Sequence, residues 1–137
     1  MEEFLPYIDS FLDKHLDQLL YLPAIQRLRE RLNVGEVVLL SNSPHFLVCQ
    51  ISKRLGITNI RATEYRVDDK GILCDIGLLM DGKAKAECLK NFPFSEKEAY
   101  TDSILDLPFL ESATIKIAVR PDRKLAKLAH QNGWEKL

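Results

Sequence analysis

Cysteine is scarce in this sequence: only Cys49, Cys74 and Cys88 occur among its 137 residues. They are too few and too widely spaced for a zinc knuckle, whose ligands come in close pairs. An odd number of cysteines also argues against a closed set of disulfides, which excludes a small disulfide-stabilised scaffold. We therefore expect a reducing, cytoplasmic environment.

The sequence also lacks a long apolar run and an excess of charge of either sign. No stretch approaches the roughly 18 apolar residues that a membrane span needs, and the amino terminus is acidic where a secretory signal is basic. The 19 basic and 20 acidic side chains nearly cancel, so no overall field would attract nucleic acid or an anionic membrane. Any charged ligand must be met by a local site.

Glycine and proline are not abundant either, with 6 of each, which excludes a collagen-like or disordered chain. Hydrophobic residues make up 46% of the sequence, enough to bury a core. The length is typical of one domain. We predict a soluble single domain over residues 1–137.

Helical and strand patterns alternate along the chain. Apolar residues recur at helical spacing from Glu2 to Leu20, and a second helix is predicted from Pro23 to Leu32. The apolar run Val37–Leu40 is typical of a strand buried on both faces of a parallel sheet. The remaining predicted elements are helices at Phe46–Leu55, Lys83–Lys90 and Arg123–Gln131, strands at Ile60–Thr63, Ala99–Thr101 and Ile115–Val119, and a hairpin turning at Asp68–Gly71. This alternation predicts an α/β domain with a mostly parallel sheet.

The first candidate site follows the first predicted strand. In open α/β sheets, ligands bind beyond the carboxyl ends of the strands. Ser41, Asn42 and Ser43 stand there, ahead of a predicted helix, where a hydroxyl and free backbone amides can bind an anion. The same residue types also cap helices, and both interpretations stay open on these residues alone.

Two carboxylates and a lysine are the other candidates. Asp102 and Asp106 follow the strand Ala99–Thr101, and two carboxylates at this spacing can share Mg²⁺, which prefers oxygen ligands. Helix capping is the alternative for both. Lys85 lies near the start of a short predicted helix, where its ammonium could meet a phosphoryl group or simply be solvated.

Three segments, taken in order, resemble motifs II, III and IV of the haloacid dehalogenase superfamily, most closely those of its phosphoserine-phosphatase-like branch. They are Val37–Pro44, Gly82–Lys85 and Ala99–Leu110. The hairpin turn at Asp68–Gly71 and the tail Val119–Asp122 with Gly133 and Trp134 also resemble that branch. The resemblance implies a Rossmannoid parallel sheet with flanking helices and a small β-hairpin.

The resemblance also implies a Mg²⁺-dependent hydrolase of phosphomonoesters and assigns roles to residues. Phosphate would be bound by the hydroxyl of Ser41, the amide of Asn42 and the ammonium of Lys85. The magnesium ion would be bound by Asp102 directly, with Asp106 supporting it. Thr101 departs from the family's usual glycine and would crowd the loop beside the metal.

The DxDxT motif that comes first in this family is absent from the sequence. In the family, its first aspartate attacks phosphorus to form an aspartyl-phosphate, and its second serves as general acid and base. We therefore expect a chain that lacks the nucleophile, binds Mg²⁺ weakly and is inactive alone. Residues 1–33 would be a remnant of the family's helical cap and residues 34–137 the core, without its usual first, central strand.

That central strand would lie between the strands that end at Ser41 and Asp102, so its loss leaves two unpaired inner edges. Either these strands pair with each other, or a homodimer or a complementing chain covers them, and we predict the latter. Two other functions stay open: an active phosphatase completed by another chain, and a protein-interaction module that uses the helix at residues 2–20.

Overall fold

The computed structural model describes residues 4–137. The chain forms two compact units, Met1–Met80 and Asp81–Leu137. The helices are α1 (Leu5–Leu19), α2 (Leu22–Leu32), α3 (His45–Leu55), α4 (Gly82–Lys90), α5 (Leu107–Glu111) and α6 (Arg123–Asn132). The strands are β1 (Val38–Pro44), β2 (Asn59–Val67), β3 (Leu73–Leu78), β4 (Glu98–Thr101), β5 (Ile115–Ala118) and β6 (Glu135–Lys136). The predicted α/β class is confirmed.

Helix α1 confirms the predicted amphipathic helix over Leu5–Leu19, while Glu2 and Glu3 lie outside the described residues. It buries Leu12 and Leu16. Arg54 of α3 binds α1 through two carboxylates, with its Nη2 atom 2.6 Å from Asp13 and 3.0 Å from Asp9. The hydrogen bond to Asp13 raises the pKa of Arg54 above its ordinary value. These contacts support a structural role for α1 within the first unit.

The first unit contains a three-stranded sheet in the order β1-β2-β3. β1 runs parallel to β2, with Val38 opposite Asn59 and Ser41 opposite Ala62. The predicted end of this strand at Leu40 is wrong, because the extended backbone continues to Pro44 with a register shift after Ser41. The cause is local: Pro44 forces the residue before it away from helical geometry.

Strands β2 and β3 form the predicted hairpin. The carboxylate of Asp68 accepts hydrogen bonds from the backbone N–H groups of Lys70 and Ile72, both at 2.9 Å. Gly71 adopts a positive φ of 78°, which a residue without a Cβ tolerates at no steric cost. The turn residues therefore determine this hairpin.

The second unit contains a parallel sheet in the order β4-β5-β6. Its core consists of small and aliphatic side chains that are almost fully buried: Ala99, Leu110, Ala113, Ala118, Leu125 and Ala129. The sequence patterns did not predict β6, whose two residues are too few to show a period, or the short helix α5.

Strands β1 and β4 are each an edge strand of the sheet in their own unit. In residues 4–137, β1 pairs only with β2, and β4 pairs only with β5. The side chains of Val37–Leu40 are only partly buried, so the prediction of a strand buried on both faces is wrong for β1. Each of these two strands therefore leaves one hydrogen-bonding edge unpaired within the described residues.

None of the helices within residues 4–137 has the length and apolar content that a bilayer crossing requires.

Candidate functional site

The centre of the candidate site in the second unit is an ion pair between Lys85 and Asp106. The Nζ atom of Lys85 lies 2.9 Å from one carboxylate oxygen of Asp106 and 2.8 Å from the other. The Lys85 residue is only 8% exposed. The interpretation of Lys85 as a solvated surface lysine is therefore wrong, because α4 brings it against a carboxylate.

Thr101 completes this cluster from the end of β4. Its hydroxyl donates a hydrogen bond of 2.8 Å to the Asp106 oxygen that also meets Lys85. Thr101 is itself 8% exposed. The hydroxyl at this position, where the resemblance led us to expect glycine, helps to hold the carboxylate that pairs with Lys85.

Two features at the start of α4 bring Lys85 to this position. The carboxylate of Asp81 caps the helix by accepting a hydrogen bond from the Ala84 N–H at 2.9 Å. At Gly82, an added Cβ would lie 2.3 Å from the carbonyl oxygen of Leu105. Only glycine allows this close approach of α4 to the segment that carries Asp106.

Asp102 differs from Asp106 in being exposed. Within residues 4–137, its carboxylate has no hydrogen-bond or ion-pair partner. Neither aspartate caps a helix with its side chain, since Ser103 caps the 3₁₀ turn at Ile104–Asp106 and α5 has no side-chain cap. The capping alternative is therefore wrong for Asp102, whereas Asp106 does occupy the N-cap position of α5 without making a side-chain cap hydrogen bond.

The donor chemistry of this cluster suits a hard cation. Mg²⁺ is usually bound through one or two carboxylates and keeps several waters. Asp102 offers a free, exposed carboxylate of that kind, whereas both oxygens of Asp106 already accept from Lys85. No group of three or more acidic, histidine or cysteine side chains suited to a metal occurs in the part of the chain that the structure describes.

Asp122 belongs to the tail that resembles the family branch, but the resemblance gave it no role. Its carboxylate accepts hydrogen bonds from the backbone N–H groups of Leu125 at 2.9 Å and Ile104 at 2.7 Å. These two bonds, the one from Leu125 first, lower the pKa of Asp122 below its ordinary value. The sequence signal was an aspartate directly before a helix, which predicts a cap but not the bond to Ile104.

The remaining predicted residues, Ser41 and Asn42, belong to the first unit. The Oγ atom of Ser41 accepts a hydrogen bond from the Ser43 N–H at 3.1 Å. Helix α3 begins after Pro44 and has no side-chain cap, so the capping interpretation of these residues is wrong. Their polar groups therefore have a different role from helix capping.

A buried threonine on the neighbouring strand holds Asn42. The hydroxyl of Thr63 donates to the side-chain oxygen of Asn42 at 3.3 Å and accepts from the Met80 N–H at 3.1 Å. Thr63 is 1% exposed. The sequence did not indicate Thr63, because its contact depends on the register of β1 against β2.

Comparison with known proteins identifies the family. The profile of haloacid dehalogenase-like hydrolases matches residues 2–111. A probable phosphatase of Mycobacterium tuberculosis is 34% identical over 105 residues, which cover 72% of this chain and 37% of that protein. A phosphoserine phosphatase of the same organism is 32% identical over 113 residues, covering 76% of this chain and 36% of that protein.

A solved structure agrees in fold. The crystal structure of a Bordetella pertussis protein of unknown function superposes with a TM-score of 0.86 at 24% identity, and the match covers 98% of this chain and 66% of that one. The chain thus spans well under half the length of the curated relatives compared above and about two thirds of this structure. The motifs, the fold and these matches together show that the chain belongs to the haloacid dehalogenase-like hydrolases, in their phosphoserine phosphatase-like branch.

Proposed function

We propose that these 137 residues supply the phosphate-binding and cation-binding part of a Mg²⁺-dependent phosphomonoesterase, and that they are inactive without an aspartate nucleophile from another polypeptide segment. The observation that carries this proposal is the nearly buried Lys85–Asp106 pair beside the free carboxylate of Asp102. A lysine on α4 together with an aspartate directly after the parallel strand β4 is suited to phosphoryl transfer, where catalysis is mostly positioning and charge stabilisation.

Lys85 contributes a fixed positive charge. Burying an ammonium is unfavourable unless a counter-charge accompanies it, and the two oxygens of Asp106 provide that counter-charge at 2.8 and 2.9 Å. A phosphoryl group next to Lys85 would meet a charge that is already in place, which is the form of stabilisation that costs no reorganisation during the reaction. Asp106 is thereby a positioning residue for Lys85.

Asp102 is the residue that would hold Mg²⁺. The ion, when bound, supplies positive charge that stabilises the phosphoryl oxygens. In the first unit, the hydroxyl of Ser41 and the backbone amide of Asn42 would donate to phosphoryl oxygens, and Thr63 fixes the Asn42 side chain. Asp102 would thus hold the cation and Ser41 and Asn42 would bind the phosphate, and none of these residues attacks phosphorus.

The attacking group must come from elsewhere. In the family reaction, a carboxylate oxygen forms a bond to phosphorus, the bond to the alcohol oxygen breaks, and a second carboxyl group protonates the leaving alcohol. No DxDxT motif occurs in the 137 residues to supply these two carboxyl groups. The unpaired edge of β1 and that of β4 support the proposal that a further strand carrying this motif pairs with this chain.

A reconstitution assay tests the proposal. The purified chain is incubated with Mg²⁺ and p-nitrophenyl phosphate, alone and with a peptide that contains an apolar strand ending in DxDxT. We expect no release of nitrophenol by the chain alone, release with the peptide, and loss of that release in Asp102→Asn. A peptide with the first aspartate replaced by asparagine is the matched control, since it keeps the strand and lacks the nucleophile.

Two other outcomes are informative. Turnover by the chain alone that Asp102→Asn abolishes would refute the need for an external nucleophile. Binding of inorganic phosphate without turnover in either arm would favour a phosphate-binding pseudoenzyme instead. The coding sequence upstream of Met1 offers an independent check, because an in-frame or neighbouring DxDxT motif there would identify the missing segment.

A further inference from the structure

The Asp122 carboxylate joins two elements of the second unit that are distant in sequence. One oxygen, Oδ1, accepts from Leu125 N–H at 2.9 Å and caps α6. The other, Oδ2, accepts from Ile104 N–H at 2.7 Å, in the segment between Asp102 and Asp106. A helix cap needs only the first of these bonds, so the second has a separate effect.

Backbone hydrogen bonds from Val119 and Asp122 also hold the chain at the end of β4. The Asp122 N–H donates to the carbonyl of Asp102 at 2.8 Å, and the Val119 N–H donates to the carbonyl of Thr101 at 2.8 Å. Between them, Arg120 has a φ of 39°, a left-handed conformation that is uncommon for a residue with a side chain. The chain thus adopts an unfavourable turn where it places Asp122 against the segment after β4.

We propose that Asp122 is a positioning residue that holds the backbone at Asp102 and just after it, so that the free carboxylate of Asp102 is oriented to bind the divalent cation. The inference rests on the proposed function, which assigns the cation to Asp102. The Asp122 carboxylate accepts a hydrogen bond from the Ile104 N–H, and the Asp122 N–H donates to the carbonyl of Asp102. Asp122 therefore fixes the backbone at Asp102 and at Ile104. The lowered pKa of Asp122 agrees with a carboxylate that is held ionised by backbone donors.

Because the two oxygens of Asp122 make different bonds, the helix cap at Leu125 can be tested separately from the hydrogen bond to Ile104, which we call the tether. Asn and Ser cap helices about as well as Asp, so Asp122→Asn and Asp122→Ser both retain the bond to Leu125. Neither offers a second acceptor to Ile104, since Asn presents an NH₂ group there and Ser presents nothing. Asp81→Asn is the matched control, because Asp81 caps α4 with the single bond to Ala84 that Asn also makes.

The experiment measures Mn²⁺ binding to the full chain by electron paramagnetic resonance of the free ion, together with amide hydrogen exchange without metal. Groups that orient metal ligands typically contribute about 10- to 100-fold to affinity. We expect Mn²⁺ affinity about tenfold weaker in both Asp122 variants and unchanged in Asp81→Asn. We also expect faster exchange of the Ile104 amide, with the Leu125 amide and the melting temperature close to those of the parent chain.

The alternative results are distinct. Unchanged Mn²⁺ affinity in both Asp122 variants, with Asp102→Asn abolishing binding, would overturn the role of Asp122 and leave the proposed function intact. Parent-chain binding that Asp102→Asn does not reduce would overturn the assignment of the cation to Asp102, and the role of Asp122 with it. Unchanged protection of the Ile104 amide from hydrogen exchange in the variants would overturn the hydrogen bond between Asp122 and Ile104, whatever the Mn²⁺ affinity.

Discussion

Lys85 illustrates how one buried charge depends on its partner. Its ammonium and the Asp106 carboxylate are 10% and 15% exposed at the side chain, so removing either one leaves the other charge uncompensated. Loss of one partner of a buried ion pair costs about 3–5 kcal/mol. We therefore expect Lys85→Met to reduce the free energy of unfolding by about that amount, measured by urea denaturation.

The exposed Lys83 on the same helix is the control. Lys83→Met should stay within about 0.5 kcal/mol of the parent chain, as is usual for surface substitutions. The double variant Lys85→Met with Asp106→Asn should recover part of the lost free energy of unfolding, because it also removes the negative charge that Lys85→Met leaves without a partner. A double variant no more stable than Lys85→Met alone would show that the unpaired Asp106 carboxylate is not what destabilises the single variant.

The sequence was sufficient to select Lys85, Asp102 and Asp106 as candidates, but not to predict how they pair. Lys85 stands on a short helix between Ala84 and Ala86. Its burial depends on the approach of the segment that carries Asp106, which no local pattern in the sequence predicts. Thr63 and Asp122 were missed for the same reason. The side chain of each makes hydrogen bonds to residues far away in sequence, Thr63 to Asn42 and Met80 and Asp122 to Ile104.

At the scale of elements, a close backbone contact with Leu105, rather than helix propensity, decides which residue can stand at the start of α4. Alanine stabilises a helix interior by about 0.8–1.0 kcal/mol relative to glycine, so Gly82→Ala would ordinarily be favourable or neutral. Here the new Cβ would lie 2.3 Å from the Leu105 carbonyl oxygen and 3.3 Å from the Asp106 Cα. Both neighbours are backbone, which cannot rotate away as a side chain can.

We expect Gly82→Ala to destabilise the chain by about 1–3 kcal/mol, the usual cost of overpacking, in urea denaturation. Gly77→Ala is the control, since its nearest neighbours are the Cγ and Nε atoms of the flexible Arg66 side chain at 3.3 and 3.4 Å. It should change stability by about 0.5 kcal/mol or less. Equal effects of the two substitutions would contradict the close contact at Gly82.

The elements with a strong local signal were predicted well. Gly56 and Gly133 end α3 and α6 in the left-handed conformation that glycine favours, and both ends were visible in the sequence. The end of β1 was not, because the strand continues beyond its apolar run through Ser41–Pro44, where only Ser43 is restricted to extended geometry by the proline that follows it. β6 is too short for any period to appear.

At the scale of the whole molecule, the open edges of β1 and β4 have a consequence for association. A parallel sheet edge presents unpaired N–H and C=O groups to any other chain, and both strands end their sheets within residues 4–137. The formal net charge of −1 provides little repulsion between copies. Nothing in the charge balance therefore opposes edge-to-edge pairing.

We expect the 137-residue chain to associate as its concentration rises, which sedimentation velocity at neutral pH would detect as an increasing mean sedimentation coefficient. A peptide with the apolar strand that ends in DxDxT should reduce this association, since it occupies the edges that the copies would otherwise share. The same peptide with proline at its centre should not, because proline lacks the backbone N–H that a central strand needs. A single monomeric species at every concentration, unaffected by either peptide, would show that the edges are covered within the chain, and the case for a complementing strand would fail with it.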